Sequence, residues 1–221
     1  QSILDALKDN PSQFPSIECM SDGDTWKLGF DGGALTRPMN SNLRRSDTRL
    51  EWMDKQSVDI QVCGGWLDSF GYEISDDEGM RWSRFINKHL IKACDESDRL
   101  APPASVPLQN GKLAAQVLEE AINMGFHGAM IGTQPKGGEG NLDDPDLDPF
   151  WEAASSLKAT LYLHPMFGCG DARMMDYGLL NIIGRSTDTI TAVGRLIFSG
   201  HLLKYSGMKL VLSHGGGGLP F

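Results

Sequence analysis

Five short apolar segments, each preceded by a helical pattern, constrain the fold of this chain more than any other feature. They recur at about the spacing of one strand–helix unit. The segments are Val58–Val62, Ala104–Leu108, Gly128–Ile131, Thr160–His164 and Lys209–His214. Short apolar strands that alternate with helices are typical of buried parallel sheets. The pattern therefore predicts an α/β fold, either a TIM-like (β/α)8 barrel or a doubly wound sheet. A closed barrel needs eight strands, so five predict an open-sided one.

The sequence lacks the motifs that characterise several functional classes. No G-x-G-x-x-G follows the first strand and no G-x-x-x-x-G-K-[ST] occurs, which argues against dinucleotide and P-loop nucleotide sites. No G-x-S-x-G elbow is present, and no cysteine neighbours a histidine in a protease pattern. A serine or cysteine nucleophile is therefore not indicated.

Residues 16–30 interrupt the alternation of strands and helices. Two short polar–apolar stretches flank an Asp22–Gly23 turn, which predicts a small β-hairpin. We interpret it as an insertion in a single domain that spans residues 1–221. The chain begins with Gln1 and stops at Phe221, soon after a run of four glycines, and we expect the domain to be incomplete at both ends.

Charge and cysteine content limit the kinds of binding partner and the cellular compartment that we expect. The net charge is −9 and no run of Lys or Arg occurs, so a nucleic-acid partner is not expected. No apolar stretch reaches the length of a membrane span, and no signal peptide is recognisable. The four cysteines form no C-x-x-C pair, which predicts free thiols in the reducing cytoplasm.

Two of the five histidines follow apolar strands in the same way. His164 ends one predicted strand and His214 ends the last one. The carboxyl ends of parallel barrel strands carry the active site, and imidazole serves as a metal ligand or as an acid and base near neutral pH. We expect the pair to be functional. His89, His127 and His201 stand at other places in their units, and we expect structural roles for them.

Two further features have a functional and a plain interpretation. Gly215, Gly216 and Gly217 follow His214 directly, and they shape a site or form a flexible linker. Arg37 stands in an irregular segment, where it is either solvated or holds a substrate carboxylate through a two-pronged contact. The acidic stretch from Asp143 to Asp146 is interpreted as a solvated turn and helix cap.

An ordered series of short segments points to one family. The segments are Thr36–Pro38, Arg49–Asp54 before Val58–Val62, Phe70–Tyr72, Val106–Gln109, Ile131–Thr133, Leu163–Pro165 and Ser213–Gly217. In this order and spacing the chain resembles the amidohydrolase superfamily. More closely, it is similar to the branch of metal-dependent decarboxylases that contains 2-amino-3-carboxymuconate-6-semialdehyde decarboxylase.

The resemblance implies a fold, a cofactor and residue roles. The fold is a distorted TIM barrel, with strands two to six present here, that binds one divalent metal, zinc or alternatively manganese. His164 matches the metal-binding histidine of the His-Pro strand end, and His214 matches the catalytic histidine. Arg37 matches the carboxylate-binding arginine. Tyr177 falls near an aromatic residue of the substrate pocket, although the family has tryptophan there.

The implied activity is decarboxylation of a carboxylated aromatic or muconate-like small acid by a homodimer. A metal-dependent hydrolase or hydratase on the same scaffold, and an inactive remnant, are the alternatives. The chain departs from the family because no His-x-His or Glu-x-His pair precedes residue 17. The metal-binding aspartate of the last strand, and an arginine that the partner subunit contributes, would both follow Phe221.

Overall fold

The parallel strands and helices alternate along the chain as the sequence predicts. The structure is a computed structural model that describes residues 3–39, 45–95, 97–137, 139–166 and 170–219. Its helices are α1 Ile3–Asp9, α2 Ser46–Lys55, α3 Asp76–Cys94, α4 Gly111–Asn123, α5 Asp148–Ser156, α6 Arg185–Phe198 and α7 His201–Lys204. Its strands are β1 Ile17–Asp22, β2 Thr25–Phe30, β3 Gln61–Val62, β4 Leu100–Ala101, β5 Gly128–Gly132, β6 Thr160–His164 and β7 Lys209–Leu212.

Five of the strands form a parallel arc whose order follows the chain. β3 pairs with β4, and β5, β6 and β7 form a three-stranded sheet in that order. A parallel bridge between Ala104 and Ala129 joins the segment after β4 to β5. Parallel strands in chain order, with helices in between, are the arrangement of a TIM-type barrel. The carboxyl ends of these strands therefore lie along one rim.

The segment 104–108 is buried but is not the strand that the sequence predicts. Ala104, Val106 and Leu108 are all buried in the core. Only Ala104 makes a strand bridge, and the regular pairing lies earlier, at Leu100–Ala101. Pro103 and Pro107 have no backbone N–H to donate to a ladder, so burial here proceeds without continuous pairing.

The N-terminal hairpin is confirmed and packs against helix α3. β1 and β2 pair in antiparallel register from Ile17 with Phe30 to Asp22 with Thr25. Phe14 and Phe30 make edge-to-face contacts with Trp82 of α3, with ring centroids 5.3 and 5.9 Å apart. This aromatic contact attaches the hairpin to the barrel-like part of the chain.

Two helices differ in detail from the predicted ones. The sequence pattern predicts one continuous helix over Thr187–Leu203, but the structure splits it, because α6 ends at Phe198 and Gly200, with φ +80°, separates it from α7. Glycine adopts this left-handed backbone without steric cost, which ends helices. The sequence also predicts a helix from Thr48 with Asp47 as its N-cap, but α2 begins at Ser46, so Arg45 occupies the N-cap position and Asp47 lies in the first turn.

The main core lies between the three-stranded sheet and helices α4, α5 and α6. Its fully buried members include Leu118, Trp151, Ile131, Leu161 and Leu163. Period-two burial in β6 turns Leu161 and Leu163 into this core. The side chain of Asn87 exchanges two hydrogen bonds with the backbone of Ser105, at 2.9 and 2.7 Å, and so ties α3 to the sheet.

The described cysteines are free thiols. Cys94 is buried, and Cys19 and Cys63 are half-buried, while Cys169 lies outside the described residues. Burial raises the pKa of the Cys19 and Cys63 thiols, which keeps both protonated at neutral pH. Among the helices of the described ranges, none combines the length and the apolar character needed to cross a bilayer.

Candidate active site

His164 and His214 meet at the carboxyl ends of neighbouring strands. His164 is the last residue of β6 and pairs with Gly132 of β5. His214 follows Leu212, the last residue of β7, by two positions. The two imidazole rings lie edge to face, with centroids 5.1 Å apart and planes at 75°. The structure thus brings together the two histidines that the sequence analysis singles out.

The backbone after β7 turns sharply so that His214 lies beside His164. His214 has φ +52°, and Gly215, Gly216 and Gly217 have φ +62°, +80° and +65°. Left-handed backbone is costly for residues with a Cβ and free for glycine, so this sequence of residues fits this turn. A Cβ at Gly217 would lie 2.8 Å from the carbonyl oxygen of Ser186, which shows a close approach to α6. The glycines form a defined turn at the rim, and their role in shaping a site stays a prediction.

The surroundings of His164 favour a neutral imidazole. Burial lowers the pKa of His164, and a hydrogen bond to the carbonyl oxygen of Pro165 opposes this shift. The positive charges of His214, Arg185 and Arg37 lower the pKa of His164 further. The hydrogen bond joins Nδ1 to the Pro165 oxygen over 2.9 Å. A neutral ring that donates from Nδ1 keeps a lone pair on Nε2, which is the form that binds metal ions.

Arg37 lies at a cleft on the same rim. Its Nε and Nη2 donate to the Asp68 carboxylate over 3.1 and 3.4 Å, and its guanidinium lies 5.0 Å from the Trp66 ring centroid. Asp68 is only 6% exposed, whereas Arg37 is 48% exposed. The cleft has a volume of about 420 Å³, and its lining includes Phe30, Leu35, Arg37, Asp68, Phe70 and Met166. A cleft of this size accommodates a small organic acid.

Tyr177 is placed differently from the other predicted site residues. It is 92% exposed, has φ +57° and lies in the segment that precedes α6. The Arg37 cleft is lined by other residues. The role of Tyr177 in binding the substrate stays a prediction.

The three remaining histidines lie away from the strand ends that carry the pair. His89 packs against the Phe85 ring on α3, and His127 is exposed directly before β5. His201 is buried at the start of α7, where its Nε2 lies 3.4 Å from Asp148.

A complete metal site is absent from the part of the chain that the structure describes. No group of three or more histidine, cysteine, aspartate or glutamate side chains in these ranges could hold an ion. His164 and His214 provide two imidazoles whose ring centroids lie 5.1 Å apart, but a catalytic metal ordinarily has three protein ligands. The donor chemistry at the rim fits a divalent metal, and the number of described donors is smaller than such a site requires.

Sequence reasoning missed three charged residues at this rim. Asp68 pairs with Arg37, Arg185 acts on His164 through its charge, and Asp188 is buried at the start of α6. Only Asp188 carries a signal in the sequence. It lies on the face of α6 that also buries Ala192 and Leu196, and a carboxylate on an apolar helix face is unusual.

Comparison with known proteins gives consistent matches. A family model described as Amidohydrolase matches residues 80–220. The chain is 31% identical to 2-amino-3-carboxymuconate-6-semialdehyde decarboxylase of Dictyostelium discoideum, over 88% of this chain and 54% of the relative. It is 29% identical to gamma-resorcylate decarboxylase of Rhizobium radiobacter, over 87% of this chain and 62% of the relative. The chain therefore spans between half and two thirds of the length of these relatives.

A solved structure supports the same fold. Dihydroxybenzoic acid decarboxylase of Polaromonas sp. JS666, with bound manganese and the inhibitor 2-nitroresorcinol, matches with a TM-score of 0.73 and 27% identity. The match covers 79% of this chain and 56% of the other. Such a score over most of the chain agrees with the TIM-type arrangement of the parallel strands.

Proposed function

The chain belongs to the amidohydrolase family, and on this premise we propose that it carries part of the active site of a metal-dependent decarboxylase. Its substrate would be a small carboxylated aromatic or muconate-like acid. The observation that carries the proposal is the pair of His164 and His214 at adjacent strand ends, on the same rim as Arg37. The named relatives are decarboxylases, which favours this reaction among those the family scaffold can support.

His164 would hold the metal through Nε2. Its Nδ1 already donates to the backbone, and its lowered pKa keeps the ring neutral at physiological pH. We propose zinc, with manganese as the alternative, since the Polaromonas structure contains manganese. When bound, the ion would act as a Lewis acid that stabilises negative charge on a substrate oxygen. The remaining ligands would come from outside the described residues.

Arg37 would bind a carboxylate of the substrate. A guanidinium has five N–H donors in a rigid plane, and it recognises carboxylates with two parallel hydrogen bonds. Asp68 accepts from Nε and Nη2, and the Trp66 ring lies against the guanidinium. These contacts hold the group in one orientation before a substrate arrives, which lowers the entropic cost of binding.

His214 would exchange the proton. In the reaction the bond between the ring carbon and the carboxyl group breaks, its electron pair stays on the carbon, and CO2 leaves. A proton from the His214 imidazolium then forms the new C–H bond and leaves a neutral imidazole. His214 is exposed, so solvent can restore its proton after each turnover. The adjacent Gly215, Gly216 and Gly217 would hold this ring at the site by their left-handed turn.

The proposal also covers the cellular compartment, the oligomeric state and the domain organisation of the protein. The three described free thiols favour the cytoplasm. Exposed apolar side chains at Met175, Tyr177 and Ile182 favour a homodimer that covers them, with Tyr177 in a substrate pocket completed by that contact. The packing of the 16–30 hairpin on α3 favours one domain with an insertion, in which strands two to six of the barrel are represented.

Elemental analysis for transition metals is the experiment that tests the function. It is made on this chain and on the full-length gene product, with His164→Ala and, as a matched control, His127→Ala at an exposed histidine before β5. We expect about one metal per full-length chain, lost in H164A and kept in H127A. The full-length protein should then release CO2 from gamma-resorcylate or a related acid.

Other results assign other functions. Metal in the protein with uptake of water by the substrate, and without CO2 release, would indicate a hydrolase or hydratase. The absence of metal from both forms would refute the metalloenzyme proposal and favour an inactive or binding role.

A further inference from the structure

A buried carboxylate collects hydrogen bonds behind His164. Asp188 of α6 is 4% exposed. Its Oδ2 accepts a hydrogen bond from the Thr133 hydroxyl and one of 2.9 Å from the backbone N–H of Met166, and its Oδ1 accepts one of 3.2 Å from Gln134. A charged group at this depth is costly unless it is well hydrogen-bonded, and these three donors satisfy it. The carboxylate therefore joins the ends of β5 and β6 to α6.

One peptide group connects this carboxylate to the His164 ring. The N–H of the Pro165–Met166 peptide donates to Asp188 and to the Thr133 hydroxyl, over 2.9 and 3.0 Å. The carbonyl of the same peptide accepts from Nδ1 of His164 over 2.9 Å. In a planar trans peptide the N–H and the C=O point in opposite directions. Fixing the N–H towards Asp188 therefore fixes the carbonyl towards His164.

The carbonyl determines which ring nitrogen carries the proton. A carbonyl oxygen only accepts hydrogen bonds, so the contact requires a proton on Nδ1 and leaves the lone pair on Nε2. Hydrogen bonds in series polarise one another, so a negative charge on Asp188 strengthens the bond at the far end of the peptide. The arrangement resembles the carboxylate–histidine pairs that orient metal ligands, with a peptide group inserted between the two side chains.

We propose that Asp188 is a positioning residue that selects the Nδ1–H form of His164 through the Pro165–Met166 peptide and so presents Nε2 to the site. The proposal rests on the proposed function in one respect, that His164 is a metal ligand. The tautomer itself is a property of the metal-free chain. It can therefore be measured whether or not a metal binds.

The test is long-range 1H–15N correlation of the imidazole nitrogens in the metal-free, 15N-labelled protein above pH 7.5. We expect one tautomer of His164 in the unmodified protein and a mixture in Asp188→Ala. Thr133→Val should shift the ratio less, because the carboxylate still accepts the Met166 N–H. Asp188→Asn keeps an acceptor oxygen and should largely restore the Nδ1–H form.

A second readout and a control separate positioning from stability. Thr189→Val removes a hydroxyl that is buried next to Asp188 but donates only within the helix, to the Arg185 carbonyl over 3.1 Å. It should leave the His164 tautomer unchanged. In the full-length protein, D188A should weaken metal affinity about ten- to hundred-fold, as loss of an outer partner of a ligand does.

Two results would overturn the proposal. One is a His164 tautomer that stays unchanged in folded D188A, or in folded T133V if D188A does not fold. The other is an equal change in T189V. A wild-type protein that shows the Nδ1–H form but binds no metal would instead refute the proposed function and leave the positioning role intact.

Discussion

The ion pair of Arg37 and Asp68 allows a quantitative test of how Arg37, which we propose binds the substrate carboxylate, is held in place. We consider Arg37→Ala, Asp68→Ala and the double variant. Asp68 is 6% exposed and accepts two hydrogen bonds from Arg37, whereas Arg37 is 48% exposed. R37A leaves a buried carboxylate without this partner, and D68A leaves a cation that water can reach. We therefore expect R37A to destabilise the protein more than D68A.

The size of the coupling follows from the exposure of the two groups. Two unit charges about 4 Å apart attract by about 1 kcal/mol in water and about 4 kcal/mol at the effective dielectric near a protein surface. Screening at the half-exposed Arg37 and the cost of burying Asp68 both reduce the net value. We expect a coupling of about 1–2 kcal/mol, a factor of about 5–30 in the folding equilibrium.

Urea unfolding of the four proteins, at low salt and at 1 M NaCl, measures this coupling. The coupling should fall at high salt, because the Arg37 end of the pair is open to solvent. Arg45 and Asp47 form a matched control pair, since both side chains are at least 60% exposed and should show no measurable coupling. A coupling between Arg37 and Asp68 as small as that of the control would refute the claim that Asp68 orients Arg37.

Three further predictions address the rim, the substrate pocket and the acid limb. Gly217→Ala should cost about 1–3 kcal/mol in urea unfolding, because φ is positive there and the added Cβ would lie 2.8 Å from the Ser186 carbonyl oxygen of α6. Gly215→Ala, whose Cβ would meet open space, should cost less, and equal costs would contradict the close approach. Tyr177→Ala should leave stability within about 0.5 kcal/mol but raise KM in the full-length enzyme, and an unchanged KM would remove Tyr177 from the substrate pocket. A hydrogen bond from Arg84 holds the pKa of Glu120 below its usual range. The stabilisation from ionised Glu120 is therefore full above its unfolded-state pKa, near 4.3, and is lost as pH falls through the folded-state value. Urea unfolding between pH 3 and 7 should show that stability falls less steeply towards acid pH in Glu120→Gln, and an identical fall would contradict the assignment.

The alternation of units and the histidine pair could be predicted because they depend on local pattern. Thr160–His164 is apolar, short and ends before a proline, and it forms β6 with those bounds. Parallel strands place their carboxyl ends on one rim, so a histidine at each of two such ends leads to the observed pair. The hairpin follows in the same way from its Asp22–Gly23 turn.

The features that the sequence did not predict depend on contacts between distant parts of the chain. Asp68 is 31 residues from Arg37, and Asp188 is 22 residues from Met166, so neither pairing appears as a spacing in the sequence. In the buried segment 104–108, the sequence predicts burial but not the backbone pairing. Its apolar residues predict burial correctly, but Pro103 before it and Pro107 within it limit where the backbone can pair, and the regular ladder lies at Leu100–Ala101.

The order of the parallel strands bears on how the protein folds during synthesis. From β3 to β7 each strand lies beside the next one along the chain, so every new strand adds to an edge that is already formed. None of these five described strands has to insert between two earlier ones. A ribosome releases the chain from its N-terminus, and this order lets each strand–helix unit dock as soon as it emerges. The rim that carries the histidine pair is then completed late, because His164 can contact His214 only after β7 and the glycine turn have left the ribosome.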